Sequence, residues 1–497
     1  MRILMTYNDT NCSTRSPMHR LKHIFAEVVL ICTPFVLHGQ EKPNILFIAI
    51  DDLRPELACY GASPIKSPNI DKLASEGIVF KHAYCQQALC GPSRVSLMTG
   101  VHPDRLGIYG MSSQNPIEWR DTRKDIISLP EQFRKHGYRA VGFGKIYDNR
   151  LGIDRQHSWD SFTEGWKSQF ASPANREIVN KIRTARQKNL PEPQRKPAWE
   201  CYNISDEAYT DGSNTSLAIE FIADYKDSNP FFLAVGFNKP HLPFVAPKKY
   251  WDLYNSNEIQ LPEVENTPDG ITQYTLSPYK EIFDYEVKNP VSDAEALTLR
   301  HGYYACISYV DAMIGQLIES IEQQGMLDNT IIVIWGDHGF KLGDFGEWAK
   351  ATNLEVDARV PLIFRFPKGY GVGVKSNAMV ELVDIMPTLL EAAGIEVPME
   401  TEGRSLMPII EGKRENVREF ALTQYPRKGN VMGYSLRTTG WRYTEWIDQE
   451  TGEIKDAELY RLENTVSEKE NIANKKRGKV RKFSEVLHRY LRTALKW

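Results

Sequence analysis

The chain has 497 residues, 41% of them hydrophobic, and a formal net charge of −3. That length can bury a large core and, at roughly 100–200 residues per domain, leaves room for two or three domains. The even charge balance gives no long-range attraction to polyanions. It argues against nucleic acid as a partner and leaves recognition of any acidic ligand to a local pocket.

The first element is a leader. MHRLKH (18–23) is basic, IFAEVVLICTPFVL (24–37) is apolar, and HGQEKPN turns polar. The pattern predicts a secretory signal peptide over residues 1–39, although Glu27 interrupts the apolar run and Leu37 and Gly39 make a poor cleavage pattern. Met18 is a candidate start in place of Met1, and Cys32 is a poor lipid-anchor site because Ile31 is bulky. No segment reaches the ~20 apolar residues of a spanning helix, so a secreted or periplasmic protein without a membrane span is expected. Beyond the leader five cysteines remain, at 59, 85, 90, 201 and 306. In an oxidising compartment that odd number suggests one thiol with a separate fate, and the absence of C-x-x-C spacing argues against zinc.

The body of the chain alternates apolar strands with amphipathic helices. PNILFIAIDDLRP, YRAVGFGKIY, NPFFLAVGFNKPH and NTIIVIWGDHG read as buried strands ending in polar clusters. SPNIDKLASEG, SNTSLAIEFIADYKD, the run from Ala296 to Gly325 and VELVDIMPTLLEAAGI read as helices. This alternation predicts an α/β fold with a large, mostly parallel sheet between helices. The polar stretches at about 149–212 and 254–298 read as loop insertions at the rim. MGYSLRTTGWRYTEW and DAELYRLEN alternate as antiparallel strands do, which suggests a small C-terminal α+β subdomain. The expected division is leader 1–39, catalytic domain 40–417 and subdomain 418–497.

Ligands of parallel sheets gather beyond the carboxyl ends of the strands, where the polar clusters fall. Asp51–Asp52 alone could be a helix cap, and Asp337–His338 alone a tight turn. Together they would place three carboxylates and an imidazole in one concavity, and their mutual repulsion calls for a hard cation, Ca²⁺ or Mg²⁺ rather than zinc. Cys90 could be a buried apolar residue. Its surroundings, CGPSR, instead predict a helix start, with Pro92 in the first turn and Arg94 one turn on, suited to a tetrahedral oxyanion.

CGPSRVSLMTG carries the C-x-P-S-R signature, and with it the chain resembles the type I, formylglycine-dependent sulfatases. The text around it is similar to the iduronate-2-sulfatase branch in DDLRPELACYG, SPNIDKLAS, FFLAVGFNKPHLPF, DHGFKLGDFGEWAK and MGYSLRTTGWRYTEW, from about Pro43 to about Asn471. The resemblance implies an alkaline-phosphatase-like fold and Cys90 oxidised to Cα-formylglycine by a formylglycine-generating enzyme. It implies Ca²⁺ on Asp51, Asp52, Asp337 and His338. It also implies sulfate held by Arg94, Lys145 and Lys350, and His241 at the leaving oxygen. The substrate implied is a sulfated oligosaccharide or polysaccharide, such as a glycosaminoglycan or an algal glycan like ulvan.

One departure falls where that branch carries a histidine after the motif lysine: this chain reads GKIYDNR, with Tyr147 and Asp148. Asp148 is the expected substitute base, with His157 as the other candidate. A second departure is Phe345 in GDFG. Two other readings are a phosphate or phosphonate monoester hydrolase of the same superfamily, and a non-catalytic protein that binds sulfated glycans.

Overall fold

The computed structural model describes residues 42–62, 65–111, 119–165, 167–264, 266–462 and 467–495. The expected leader and Cys32 lie outside the described residues. No described helix is long and apolar enough to cross a membrane.

The strand Asn44–Ile50 is buried along its whole length and pairs in parallel on both edges, with Thr330–Gly336 and with Phe231–Phe237. Its sequence, NILFIAI, is apolar on both faces because both faces are covered. Leu46, Ile48 and Ile50 enter one core with the long helix Asp293–Gln323, which starts at a Ser292–Glu295 capping box. Ile45, Phe47 and Ala49 enter a second core with the helices Cys90–Thr99, Leu129–Lys135 and Ile385–Ala392. Each fully buried Ile, Leu or Phe contributes about 1.5–3 kcal/mol by leaving water.

From one edge, the sheet runs Ser161–Thr163, Arg139–Gly144, Phe231–Phe237, Asn44–Ile50, Thr330–Gly336, Leu362–Arg365 and Ile78–Tyr84. Val374–Glu381 pairs in parallel with Ile78–Tyr84. Leu362–Arg365 is antiparallel to both its neighbours, so the sheet is mixed. The four strands expected from the sequence form its centre. Their carboxyl ends align, because Ile50 is in register with Gly336 and Phe237, and Gly144 with Gly236.

Other elements differ from expectation. The insertion at 149–212 contains the helix Pro173–Gln187, capped by Ser172, and a short strand Trp199–Tyr202. Val380 and Glu381 end a strand, and the helix expected to include them starts at Ile385. No two of the five cysteines are bonded, so their odd number says nothing about a separate fate.

Beyond Ala421, four antiparallel strands follow in chain order, Ala421–Arg427, Val431–Thr438, Trp441–Asp448 and Ile454–Arg461, and the helix Arg477–Leu495 contributes Leu487 and Leu491 to their core. At Gly433 an added Cβ would lie 2.3 Å from the Trp446 ring, which requires glycine. Buried Glu355 ties this sheet to the large one. It accepts from Arg437 Nε at 2.8 Å, Arg442 Nη2 at 2.6 Å and Tyr84 Oη at 3.0 Å. Both sheets belong to one compact unit, Lys42–Trp497.

His102, just past the helix Cys90–Thr99, sits between Glu381 and Glu402, at 3.4 and 3.2 Å from its two ring nitrogens. Burial works to lower its pKa, but the two carboxylates outweigh it and push the imidazole up to about 10. A group raised in the folded state stabilises fully below its unfolded value, about 6.5, and loses that contribution as pH rises through the folded value. Urea unfolding is therefore expected to show stability falling between pH 6.5 and 10. In His102→Gln the fall over that window should be much reduced, and an unchanged slope would show that His102 is not its source.

Candidate active site

Four adjacent parallel strands deliver their first polar residues to one edge of the sheet. Asp51 and Asp52 follow Ile50, Asp337 and His338 follow Gly336, Lys145 follows Gly144, and His241 lies four residues beyond Phe237. The turn at Lys145 depends on two glycines. Gly144 has φ +73°, and at Gly236 an added Cβ would lie 2.0 Å from the Lys145 carbonyl oxygen, so the backbones can close only without side chains there. Lys145 N–H then donates to the Gly236 carbonyl at 3.0 Å.

The helix Cys90–Thr99 points its first residue into this cluster. Cys90 is fully buried, with Sγ 3.3 Å from Asp51 Oδ1 and 3.1 Å from His338 Nε2. Burial and the Asp51 charge push its thiol well above the usual range, so it is no thiolate at neutral pH. Arg94, one turn on, donates from Nε to Asp337 Oδ2 at 2.8 Å and from Nη1 to the carbonyls of Lys145 and of Ile146, the latter at 3.1 Å. Lys145 Nζ lies 2.5 Å from Asp51 Oδ2, and Lys350 Nζ 2.8 Å from Asp52 Oδ1.

These contacts split the two neighbouring aspartates. Burial works to raise Asp51, but Lys145, His241, Arg94 and Lys350 outweigh it and hold the carboxyl well below its usual range. Asp52 goes the other way: burial, Asp51, Glu281 and Asp337 together overcome Lys350 and raise it. Asp52 Oδ2 is buried without a hydrogen-bond partner among the described residues. Donor atoms of Asp51, Cys90, Asp337 and His338 lie within 4.8 Å of one another, and Asp52 groups in the same way with Cys90 and His241. Three buried carboxylates, an imidazole and an orphaned carboxylate oxygen suit a bound cation.

His241 Nδ1 is 2.6 Å from the Leu242 carbonyl, and its Nε2 is 3.2 Å from Glu281 Oε1. Burial and then Lys350 push its imidazole down to about 3, against the opposing pull of Glu281 and Asp51. Glu281 also lies 3.3 Å from Lys350 Nζ, bridging the two groups. It comes from the irregular stretch SPYKEIFDY, where no spacing or motif marks it.

Asp148 is buried and grips Arg150 with both oxygens, Oδ1 to Nε at 2.8 Å and Oδ2 to Nη2 at 2.7 Å, while Lys145 Nζ stands 3.8 Å away. Burial works to raise its pKa, but Arg150 and Lys145 hold it far below the usual carboxylate range. His157 is half exposed and lies 3.1 Å from Asp154. Phe345 packs with Leu354 and Val356, and the preceding Asp344 pairs with Arg54 at 2.6 Å. Cys90, Arg150, His241, Glu281 and Lys350 line an open cavity of about 610 Å³.

A buried cysteine among fixed cations and a cation-ready carboxylate cluster, at the carboxyl edge of an alkaline-phosphatase-like sheet, defines a hydrolase of tetrahedral oxyanion esters. Residues 43–395 match the Sulfatase family model, and residues 343–495 match that of the N-sulphoglucosamine sulphohydrolase C-terminal region. The chain is 31% identical over 518 residues to iduronate 2-sulfatase of Homo sapiens, covering 88% of this chain and 92% of that one. To a sulfatase of Formosa agariphila it is 34% identical over 424 residues, covering 82% and 80%. Among solved structures, one described in complex with its substrate D-glucosamine-2-N,6-O-disulfate superposes with a TM-score of 0.72 at 23% identity, covering 92% of this chain and 99% of that one. The chain belongs to the sulfatase family and is a sulfate ester hydrolase.

If the carboxylate cluster holds a cation, a divalent ion at a hundred times its Kd stabilises the fold by about 2.7 kcal/mol. Protein stripped with chelator is expected to show a higher Tm when Ca²⁺ is restored, and Asp52→Asn is expected to lose most of that rise. A wild-type Tm indifferent to Ca²⁺, Mg²⁺ and Mn²⁺ alike would leave the cluster without a metal role.

Proposed function

We propose that the chain removes sulfate from a sulfated oligosaccharide or polysaccharide. In this reading Cys90 works after oxidation to Cα-formylglycine, beside a Ca²⁺ ion held by Asp51, Asp52, Asp337 and His338. The observation that carries it is the setting of Cys90: it is the first residue of its helix, buried, and among Asp51, His338 and Arg94, where burial and the Asp51 charge disfavour the thiolate. The hydrated aldehyde supplies two hydroxyls on one carbon, one to attack sulfur and one to lose a proton and expel sulfate, an exit a thiol ester lacks. The ion supplies Lewis-acid polarisation of a sulfate oxygen.

The remaining roles fall to side chains already placed. Asp51 is held anionic 3.3 Å from the Cys90 side chain and is suited to accept the attacking group's proton. Arg94, Lys145 and Lys350 offer fixed positive charge to the sulfate oxygens. His241 lines the cavity with its Nε2 3.2 Å from Glu281, and because Nδ1–H donates to the Leu242 carbonyl, a proton can pass from Nε2 to the departing sugar oxygen only from the imidazolium, a state that Glu281 and the charge of a bound sulfate favour against burial and Lys350. Asp148 fits a positioning role, holding Arg150 and steadying Lys145, better than the base role expected for it, because both its oxygens bind Arg150 and it does not line the cavity over Cys90 as Arg150 does. The leader at 1–39, the division at 417–418 and maturation by a formylglycine-generating enzyme belong to the same proposal. The carbohydrate class is supported by the substrates named for the human relative and for the superposed structure.

The test is desulfation of a panel of defined sulfated oligosaccharides by protein coexpressed with the maturation enzyme, with mass spectrometry of the Cys90 peptide. Turnover together with the aldehyde mass is expected, and aryl sulfate should be preferred over aryl phosphate. Preference for phosphate would favour the phosphoester reading, and an intact thiol with no turnover would favour the glycan-binding one. His241→Gln is expected to lower kcat on sugar sulfates by 10²–10⁴-fold, and much less on nitrophenyl sulfate, whose leaving group needs no proton. Asp148→Asn should mainly raise KM; accumulation of sulfated enzyme would instead restore Asp148 as the base for collapse.

A further inference from the structure

The cavity over Cys90 is more cationic than one sulfate requires. Arg150, Lys196, Lys350, Arg427 and Lys428 line it against two carboxylates, Glu281 and Asp284. Arg150 is neutralised by Asp148, and Lys350 by Asp52 and Glu281. Arg427 is different. It ends the strand Ala421–Arg427, and the carboxylates that act on it, Asp357 and Glu458, do so through space, with no ion pair to it among the described residues. Its guanidinium is fixed by backbone carbonyls alone, Nε to Tyr274 at 2.7 Å, Nη1 to Pro426 at 3.1 Å and Nη2 to Thr275 at 3.2 Å. It lies over the rings of Tyr425 and Trp446, whose centroids are 4.8 and 5.3 Å from its Cζ.

A guanidinium has five N–H donors, and three are engaged here. Burial is costly for a guanidinium, and it pulls the Arg427 pKa down to about 10 against the weaker pull of Tyr425, Asp357 and Glu458. A guanidinium with no carboxylate hydrogen-bonded to it, oriented by three carbonyls and placed on the wall of the substrate cavity, suits an anion that arrives with the ligand. Lys428 is exposed on the same wall, and Lys196 stands across the cavity over the Tyr285 ring at 4.3 Å.

We propose that Arg427, assisted by Lys428, forms a subsite for a second anionic group of the glycan, a carboxylate or a second sulfate, so that the preferred substrate carries two negative groups. This rests on the sulfated-glycan reading above and deepens it. The two anion sources share the same chemistry, a planar or trigonal set of oxygens facing a guanidinium, and the test separates them.

Full-length Cys90→Ala protein, which binds without turnover, is titrated with two pairs of ligands. One pair is a 2-sulfated uronate disaccharide and its carboxyl-reduced counterpart. The other is glucosamine 2-N,6-O-disulfate and glucosamine 6-sulfate. Loss of the second anion is expected to weaken binding about tenfold or more in one pair. Arg427→Gln, on the same background, should bring that ratio below about twofold. Discrimination confined to the first pair identifies a carboxylate subsite, and to the second pair a sulfate subsite. Arg427→Lys separates lost charge from lost packing on Trp446 and should keep most of the discrimination, and Lys428→Gln, at an exposed position, should reduce it in part. Equal binding within both pairs, or ratios unchanged by Arg427→Gln, overturns the proposal. Because the readout is binding, it stands apart from turnover: a maturation-competent enzyme that binds but hydrolyses none of the sulfates fails the sulfatase reading and not this one.

Discussion

The site is organised around a repulsion. Asp51, Asp52 and Asp337 are buried at the ends of two neighbouring parallel strands, where water cannot screen them. Uncompensated, three such charges would unfold the sheet edge or remain protonated. Arg94, Lys145 and Lys350 offset them, each from a different segment, and the unpaired Asp52 Oδ2 leaves room for one more positive charge. Much of the surrounding structure serves to bring those cations in. The helix Cys90–Thr99 carries Arg94 beneath the aspartates, the glycine pair 144 and 236 turns Lys145 inward, and the loop beyond Gly336 returns Lys350 over Asp52.

The same geometry sets the state of Cys90. A helix start is a favourable place for an anion, yet the adjacent Asp51 charge and complete burial override that advantage for sulfur. What the position favours is a neutral side chain at the edge of a cation-lined cavity.

The central strands were legible because burial on both faces leaves a mark in the sequence: NILFIAI and TIIVIWG have no polar residue to spare, and a parallel sheet fixes where their polar ends must meet. Cys90, Arg94 and the acid pairs were legible for the same reason, being tied to strand ends or to a motif. Leu362–Arg365 is only four residues long and Ile78–Tyr84 carries lysine and histidine, so periodicity could not separate them from loop. The odd cysteine count pointed at Cys90 by an argument that fails, since none of the five is paired. Glu281, Arg150 and Arg427 were invisible for a deeper reason. Each acquires its role only from partners far off in the chain, Glu281 from His241 and Lys350, and Arg427 from the carbonyls of Tyr274 and Thr275.

That distinction bears on where chemistry and selectivity reside. The reacting end of the cavity is built from strand termini and one helix start, whose positions the sheet register fixes within the core. The opposite wall is built from a hairpin of the small sheet and from irregular segments around 274–285, joined by backbone hydrogen bonds such as those on Arg427. Changes in those segments can alter the distance from Cys90 to the second anion contact without disturbing Asp51, Asp337 or Arg94. The buried Glu355, which binds Arg437 and Arg442 of the small sheet as well as Tyr84 of the large one, helps join the two walls, together with the Leu422 N–H on Glu381 and the Gln424 N–H on the Gln86 carbonyl. On the proposal that Arg427 takes a second anion, a glycan spanning the cavity would meet fixed cations at both ends, so that the spacing between its anionic groups would count along with the identity of its sugars.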